Sequence, residues 1–416
     1  MNNFKKAGTA LILASASACL TAGELPNAEN MQGLQFNFSN PGARSLGMGG
    51  AFVGRADDAT AAFANPAGLT TLFSPEVSGE YRNTKYTTGY TRSGSYPDNL
   101  DSGSAKDSVN NLSYLSYVHP FEKFVVAVYR HELMNFKTDF NTDSINLNPG
   151  DTFPTNNGID TNIASYGLST AYRVTDKISL GASFVYYDYS MDAYTDRFDD
   201  GFLESTQTQK GNDSSWGATL GAIFAVTERL NFGLVYRSMP KFDTMYEIFD
   251  FDDQEGFSKP FQFEVPDVYG AGLSFQASEY LTLNFDVVHV NYSDLASPIF
   301  DQFSADDPVS QPALDGKLRI DSGTELHFGA EYILPNKPIV LRAGVWTDPE
   351  HTIYYKGTVD GNYEKFNDAV FQGSDDETHL AVGIGFFFGT KGQLDLAADF
   401  SDAQDVFSVS GVFRFE

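Results

Sequence analysis

The sequence predicts an all-β protein that crosses a membrane as a transmembrane antiparallel β-barrel of about 14 strands. Strand-like segments alternate polar and apolar residues, and the connections between them alternate between short and long. The composition, with 36 Phe, 22 Tyr and 37 Gly among 416 residues, suits twisted strands with aromatic girdles at the membrane surfaces. Beyond the N-terminal segment no apolar run is long enough for a helix to cross a bilayer, which excludes a helical membrane protein.

The chain begins with a pattern typical of a secretory signal peptide, assigned to residues 1–22. Lysines precede a small, apolar stretch at residues 7–18, and cleavage after Ala22 or Gly23 is preferred to cleavage after Ala18. Cys19, the only cysteine, follows a partial lipoprotein cleavage box, and its lipidation is the less favoured alternative. If Cys19 leaves with the signal, the exported protein has neither a disulfide nor a cysteine metal site.

Two regions are expected after the signal: an N-terminal hatch, or plug, at residues 23–73, and a barrel at residues 74–416. The hatch is rich in glycine and alanine. Within it, helix formers follow Asp57 and Asp58 and stop at Asn65-Pro66, which predicts a short helix.

The strand candidates are bounded by turn residues and come mostly in pairs. The turn within each pair is two to five residues long. The connections between pairs, with one exception, are much longer and rich in Asp, Asn, Ser, Gly and Pro. Short periplasmic turns and long external loops are typical of outer-membrane barrels, and an even count places both termini in the periplasm. The candidates are residues 76–90, 112–121, 124–139, 163–174, 178–197, 215–226, 230–248, 268–277, 281–295, 323–334, 339–347, 377–388, 393–400 and 406–415.

Alternation within single strands supports the same fold, because successive side chains of a strand point to opposite faces. Residues 230–237 and 407–415 each have one apolar face, expected to meet lipid, and one polar face, expected to line the lumen. The apolar faces contain Leu230, Phe232, Leu234 and Tyr236 in the first segment, and Phe407, Val409, Phe413 and Phe415 in the second.

The charge balance limits the partners of the protein. With 27 basic and 55 acidic residues the net charge is −28, which disfavours binding to nucleic acid. Acidic loops are expected to be simply solvated; the alternative is that they hold divalent cations beside outer-membrane lipids and lipopolysaccharide.

The stretch Gly42-Ala43-Arg44-Ser45-Leu46-Gly47-Met48-Gly49-Gly50-Ala51-Phe52, followed by Asn65-Pro66-Ala67-Gly68-Leu69, resembles the hatch of the FadL-type family. Members import long-chain fatty acids or aromatic hydrocarbons across the outer membrane. The resemblance implies passive transport of hydrophobic small molecules through a plugged barrel, with Asn65, Pro66 and Ala67 helping to set where the channel opens. Gly49 and Gly50 are expected to allow tight turns of the hatch backbone, because glycine tolerates positive φ.

Three consecutive polar residues, Arg130, His131 and Glu132, interrupt the third strand candidate. A β-bulge or kink is one interpretation; the other, slightly favoured, is that the strand has already left the hydrocarbon band. In the FadL-type family a kink in the third strand opens the lumen sideways to the bilayer, so the resemblance makes this segment a candidate kink.

An external groove for a hydrophobic ligand is a further hypothesis. The long loops after the fifth and seventh strand candidates carry large apolar residues among acids, and an aromatic groove would gain about 25 cal/mol for each Å² of apolar surface taken from water. Packing of the loops over the barrel mouth is the equally favoured alternative. The groove candidates are Phe198, Phe202, Leu203, Phe249, Phe251, Phe257 and Phe261.

The sequence predicts no enzymatic activity, no cofactor and no metal, because its six histidines are scattered without the spacing of a zinc site. Three alternatives to hydrophobic transport stay open. Hatch sequences of this kind also occur in barrels that serve protein secretion, which would make the partner a protein. A porin for small polar solutes would have an open polar lumen, and the third alternative is a mainly structural barrel.

Overall fold

The computed structural model describes residues 36–147, 154–251, 254–295 and 317–415. The signal peptide predicted at residues 1–22, with Cys19, lies outside these residues. None of the described helices is long and apolar enough to cross a membrane.

Fourteen antiparallel strands close into a barrel within the described residues, which confirms the predicted fold class. Closure occurs between the first and last strands, where Glu76 lies opposite Arg414 and Tyr86 opposite Gln404. The strands are β1 (Glu76–Ser95), β2 (Asn99–Pro120), β3 (Phe124–Thr142), β4 (Thr155–Thr175), β5 (Ile178–Asp199), β6 (Phe202–Thr227), β7 (Leu230–Ser238), β8 (Val268–Gln276), β9 (Leu281–Val290), β10 (Gly323–Ile333), β11 (Ile339–Asp348), β12 (Glu377–Phe388), β13 (Gly392–Phe400) and β14 (Gln404–Arg414).

One predicted strand, residues 230–248, is wrong as a single element. The strand β7 ends at Ser238, and Lys241–Asp250 pairs with Glu255–Glu264 in a separate hairpin, which we call the outer hairpin. Pro240 lies between them, and a proline cannot donate to a strand ladder. The outer hairpin continues the wall of β6, with Lys210 opposite Met245 and Ser205 opposite Asp250.

Several strands are longer than the sequence indicates, because they continue beyond the apolar band with polar residues on both faces. The strand β2 begins at Asn99 rather than near residue 112. Three short strands, Ile145–Asn146, Leu318–Arg319 and Tyr354–Tyr355, and a helix, α3 (Asn362–Val370), lie in the connections.

The outward face of the barrel carries a belt of exposed apolar side chains. In β14, Phe407, Val409 and Phe413 are exposed, whereas the alternate residues Ser408 and Ser410 are buried against the lumen. The same alternation holds in β7, with Leu234 exposed and Arg237 buried. An apolar belt of this kind is what a barrel presents to the hydrocarbon of a bilayer.

The described part of the hatch, residues 36–73, folds inside the barrel. It contains α1 (Ala43–Leu46), α2 (Ala61–Ala64) and a 3₁₀ helix (Pro66–Thr71). Ahead of α2, Asp58 Oδ1 accepts hydrogen bonds from the Thr60 backbone N–H at 2.9 Å and from the Thr60 hydroxyl at 2.5 Å. This turn delays the predicted short helix until Ala61.

Glycines in the wall allow the hatch backbone to lie directly on the strands. A Cβ added at Gly221 would lie 2.2 Å from Oδ1 of Asn65, and one at Gly344 would lie 2.2 Å from the backbone nitrogen of Gly49. Any other residue would push the hatch away from the wall. Similar close approaches occur at Gly181, Gly233, Gly272 and Gly329.

Candidate functional site

Asn65 joins the hatch to two strands of the wall. Its side chain is fully buried, and Nδ2 lies 3.0 Å from the carbonyl oxygen of Val53 and 3.3 Å from those of Ala222 in β6 and Leu234 in β7. Its Oδ1 accepts from the backbone N–H of Ala67 at 3.2 Å, with Pro66 at the first position of the 3₁₀ helix. The geometry therefore gives the Asn-Pro-Ala element an anchoring position.

Gly49 and Gly50 form a tight turn against another part of the wall, at β10 and β11. Both have positive φ, 62° and 77°. The Gly49 carbonyl oxygen lies 2.7 Å from Nδ1 of His327 in β10, and the Gly50 carbonyl accepts from Asn40 Nδ2 at 2.9 Å. The turn places the hatch backbone within reach of the wall.

A buried ionic network ties the hatch to β10. Arg44 lies 2.7 Å from a carboxylate oxygen of Asp57, 2.9 Å from Asp58 and 2.9 Å from Glu331 of β10. Arg55 pairs with Asp57 at 2.8 Å and with Glu331 at 3.3 Å. Burial alone would raise the pKa of Asp57, but the guanidinium groups of Arg44 and Arg55 outweigh it, so the pKa lies below its usual value.

The barrel wall separates between β2 and β3. These strands pair only from Tyr114–His131 to Pro120–Val125. Beyond that point β2 stays paired with β1 as far as Asn99, whereas β3 stays paired with β4 as far as Thr142.

The predicted kink residues lie where this separation begins. The register between β3 and β4 shifts between Glu132 and Met134, so Leu133 is an extra residue of β3. In consequence the consecutive residues 131–134 are all buried, which a regular pleat does not allow for a strand with one outward face. Glu132 accepts hydrogen bonds from Asn135 and Asn162 and pairs with Arg130, whose side chain also reaches the Leu112 carbonyl across the separation.

The first described residues of the hatch, 36–39, lie against this separation, and we call them the strap. The backbone N–H of Asn37 donates to the Leu133 carbonyl at 2.7 Å. Its side-chain Nδ2 lies 3.1 Å from Nε2 of His131 and 3.1 Å from the carbonyl oxygen of Glu132, while Oδ1 accepts from Arg82 at 2.6 Å. The strap thus occupies hydrogen-bonding positions that a neighbouring strand would otherwise fill.

An aromatic column leads from the outer hairpin to the strap. Tyr189 of β5 stacks with Phe242 and Phe263 of the hairpin, with ring centroids 4.5 and 5.6 Å apart. Phe263 is followed by Phe36 at 6.3 Å, and Phe36 by Phe38 at 5.1 Å. Sequence reasoning missed this column, although the alternation of Phe242, Thr244 and Tyr246 with Asp243 and Met245 indicates a buried face.

The groove candidates lie elsewhere, on the outward side of the hairpin and beside it. Phe249 and Phe251 are 36% and 37% exposed, with ring centroids 4.9 Å apart, and Phe202 and Leu203 are also exposed. The backbone N–H of Phe251 donates to the Glu204 carbonyl at 2.8 Å, which brings the two loops together. Phe198 is half-buried at the end of β5. The side chains of Phe257 and Phe261 lie outside the described residues.

Two small cavities adjoin each other inside the barrel, each with a volume of about 70 Å³, and the first lies beneath the strap. The first is bounded by the strap, the Gly49-Gly50 turn and strands including β1, β2, β10 and β11, and the second adjoins it at Tyr86, Asp348 and Gln404. The lining of the first cavity is mixed, because aromatic residues occur there beside ionisable ones. The aromatic residues are Phe36, Phe38, Tyr86, Tyr292 and Trp346. Within the described part of the chain, no group of His, Cys, Asp and Glu is arranged to hold a metal ion.

Comparison with known proteins identifies the family that shares this architecture. A model of the family described as outer membrane protein transport protein (OMPP1/FadL/TodX) matches residues 33–401, most of the chain. A search of curated proteins gives no match.

Solved structures share the fold at low sequence identity. A Pseudomonas aeruginosa FadL homologue is 15% identical, with 92% of this chain and 100% of that chain covered and a TM-score of 0.68. For the P. putida toluene transporter TodX these values are 14%, 91%, 100% and 0.62, and for the Ralstonia pickettii toluene transporter TbuX they are 15%, 91%, 100% and 0.58. The chain therefore belongs to the FadL/TodX family of outer membrane transport proteins, which are channels for hydrophobic compounds rather than enzymes.

Proposed function

We propose that this chain lets hydrophobic small molecules, such as long-chain fatty acids or aromatic hydrocarbons, cross the outer membrane passively and leave the barrel sideways between β2 and β3. The observation that carries the proposal is the double contact of the strap. Phe36 and Phe38 line the cavity, while Asn37 between them bonds to the open edge of β3. One movement of the strap therefore enlarges the cavity and uncovers the separation.

The entry route follows the aromatic residues. A molecule that lands on Phe249 and Phe251 at the outer hairpin gains free energy from desolvation, about 25 cal/mol for each Å² of apolar surface removed from water. The column formed by Phe242, Tyr189 and Phe263 leads from there down to the strap, and because its rings are buried, a molecule that follows it must part them.

The cavity is closed in this conformation, since ligand pockets usually measure roughly 300–1,000 Å³ and this one about 70 Å³. The rest of the hatch is poorly placed to move, because Asn65, the Arg44 network and the wall glycines fix residues 43–67 against the strands. The strap is the part whose displacement opens a path.

The test is the uptake of a labelled long-chain fatty acid, and separately of a labelled aromatic hydrocarbon, by cells with and without the protein. We expect faster uptake of at least one compound, reduced severalfold by F249D/F251D because charged groups disfavour the apolar encounter. F73D is the matched control, since Phe73 is 84% exposed and lies at the start of the barrel, away from the hairpin. Equal uptake with and without the protein for both compounds would overturn the proposal and favour a secretion-partner role.

A further inference from the structure

The cavity beneath the strap carries an excess of negative groups. Four carboxylates line it, Glu132, Glu325, Asp348 and Asp399, against one guanidinium, Arg82. The charge of Arg82 is already met by Glu80, a buried carboxylate 2.8 Å from its Nε. The imidazole of His327 also lines the cavity, so the partners of each carboxylate decide how much negative charge a ligand meets.

Asp348 differs from the other three carboxylates in its partners. Glu132 pairs with Arg130, and Glu325 lies 3.0 Å from His327. Asp399 lies 2.6 Å from Nδ1 of His379 and accepts from the Trp346 indole at 2.8 Å.

The side chain of Asp348, at the end of β11, leaves one oxygen without a partner. Asp348 is 8% exposed, and its Oδ1 has no hydrogen-bond partner among the described residues. Its nearest basic atom is Nδ1 of His351 at 3.7 Å, which is 3.0 Å from the Pro349 carbonyl oxygen. Asp348 lines both small cavities, so this carboxylate adjoins the space that a ligand would occupy.

Aromatic rings surround the same space. Tyr292 and Trp346 line the cavity from the wall and Phe36 and Phe38 from the strap. Trp346 is held between His327 and His379, with ring centroids 5.3 and 3.8 Å apart, so the orientation of its ring is fixed. Because stacking covers the faces of Trp346 and of Phe36, these rings offer a ligand apolar contacts rather than a face for a cation.

We propose that the cavity, once displacement of the strap has enlarged it, selects hydrophobic molecules that bear a positive charge, such as arylalkyl amines, with the ammonium group at Asp348 and the apolar part among the aromatic rings. Neutral hydrophobic molecules bind less tightly, and carboxylates, ionised fatty acids among them, are disfavoured by the charge of Asp348. The inference rests on the proposed function and narrows it, because of the two compound classes named there only the uncharged hydrocarbons remain compatible with this cavity.

The experiment uses the two tryptophans of the chain. Trp216 is 57% exposed on the outward face, so W216F leaves Trp346 in the cavity as the only tryptophan reporter. The purified W216F protein in neutral detergent is titrated with 4-phenylbutylamine, 4-phenylbutanol and 4-phenylbutanoate near pH 7, and the Trp346 fluorescence gives the affinities. We expect the amine to bind about tenfold more tightly than the alcohol and the carboxylate to bind most weakly.

Three variants on the W216F background locate the selectivity. D348N should abolish the preference for the amine over the alcohol, D348E should retain the preference, and D101N, the same change at an exposed residue of β2, should have no effect. Equal affinities for amine and carboxylate, or an unchanged amine preference in D348N, would overturn the inference.

The same data separate this inference from the proposed function. Alcohol binding without charge preference removes only the charge selectivity, whereas absence of binding by all three compounds contradicts hydrophobic binding in the cavity itself. If D348N does not fold, the three-ligand comparison on W216F alone decides.

Discussion

Contacts of single residues attach the hatch to the barrel wall. Asn65 reaches backbone carbonyls of two wall strands, and Arg44 binds Glu331, 287 positions away in the chain. The resemblance of the hatch sequence was enough to single out Asn65, Gly49 and Gly50. No local pattern could single out the Arg44 network or Asp348, because their partners and surroundings are set by strand register across the whole barrel.

Gly221 should be intolerant of a side chain. In G221A the new Cβ would lie 2.2 Å from Asn65 Oδ1, so either the hatch or the strand must shift. We expect the free energy of unfolding in urea to fall by about 1–3 kcal/mol, the usual cost of overpacking. G411A is the control, because the nearest atom to its Cβ would be at 3.6 Å, an ordinary contact. Equal stability of the two variants would show that the hatch is not in close contact with the wall at Gly221.

Asp57 should make the attachment of the hatch sensitive to acid. Its pKa is lowered in the folded protein, so its contribution to stability is full above the ordinary value of 3.8 and is lost as the pH falls through the lower folded pKa. We expect the urea midpoint of the wild-type protein to fall more steeply than that of D57N below about pH 4. D176N, at an exposed turn, is the control. Parallel pH profiles for wild type and D57N would contradict the assignment.

At the scale of elements, two of the irregularities in the barrel strands coincide with residues that stand out in the sequence. Arg130-His131-Glu132 coincides with the bulge at Leu133 and the separation of β2 from β3. Pro240 coincides with the break between β7 and the outer hairpin, although apolar alternation on both sides indicated one continuous strand. Pattern alone does not predict either consequence, because both depend on which neighbouring strand remains paired beyond the irregularity.

The strap should act as the closure of the channel. In F36A/F38A two rings that line the cavity are removed, so the volume of about 70 Å³ should grow and join the separation between β2 and β3. We expect a severalfold higher conductance in planar bilayers than for the wild-type protein. F73A, which removes an exposed ring outside the cavity, should conduct like wild type. A conductance of F36A/F38A equal to that of F73A would show that the strap does not close the path.

For the whole molecule, the sequence predicts the barrel well and its interior poorly. The period-2 alternation and the turn lengths are local signals, and they predicted fourteen strands and the outward apolar belt. The lumen is different, because its cavities arise where the strap, the Gly49-Gly50 turn and several strands meet. The mixed lining around Trp346 and Asp348 therefore appears only in three dimensions.

The most direct test of sideways exit is the deletion of Leu133, the extra residue of β3. The deletion should restore a regular pleat and allow β2 and β3 to pair further, which closes the wall. We predict that cells carrying the deletion take up labelled hydrocarbon or fatty acid no faster than cells without the protein, although the barrel stays folded by its heat-dependent gel mobility. L133A, which keeps the bulge but shortens the side chain, should retain most of the uptake. Undiminished uptake through a folded deletion variant would contradict exit between β2 and β3.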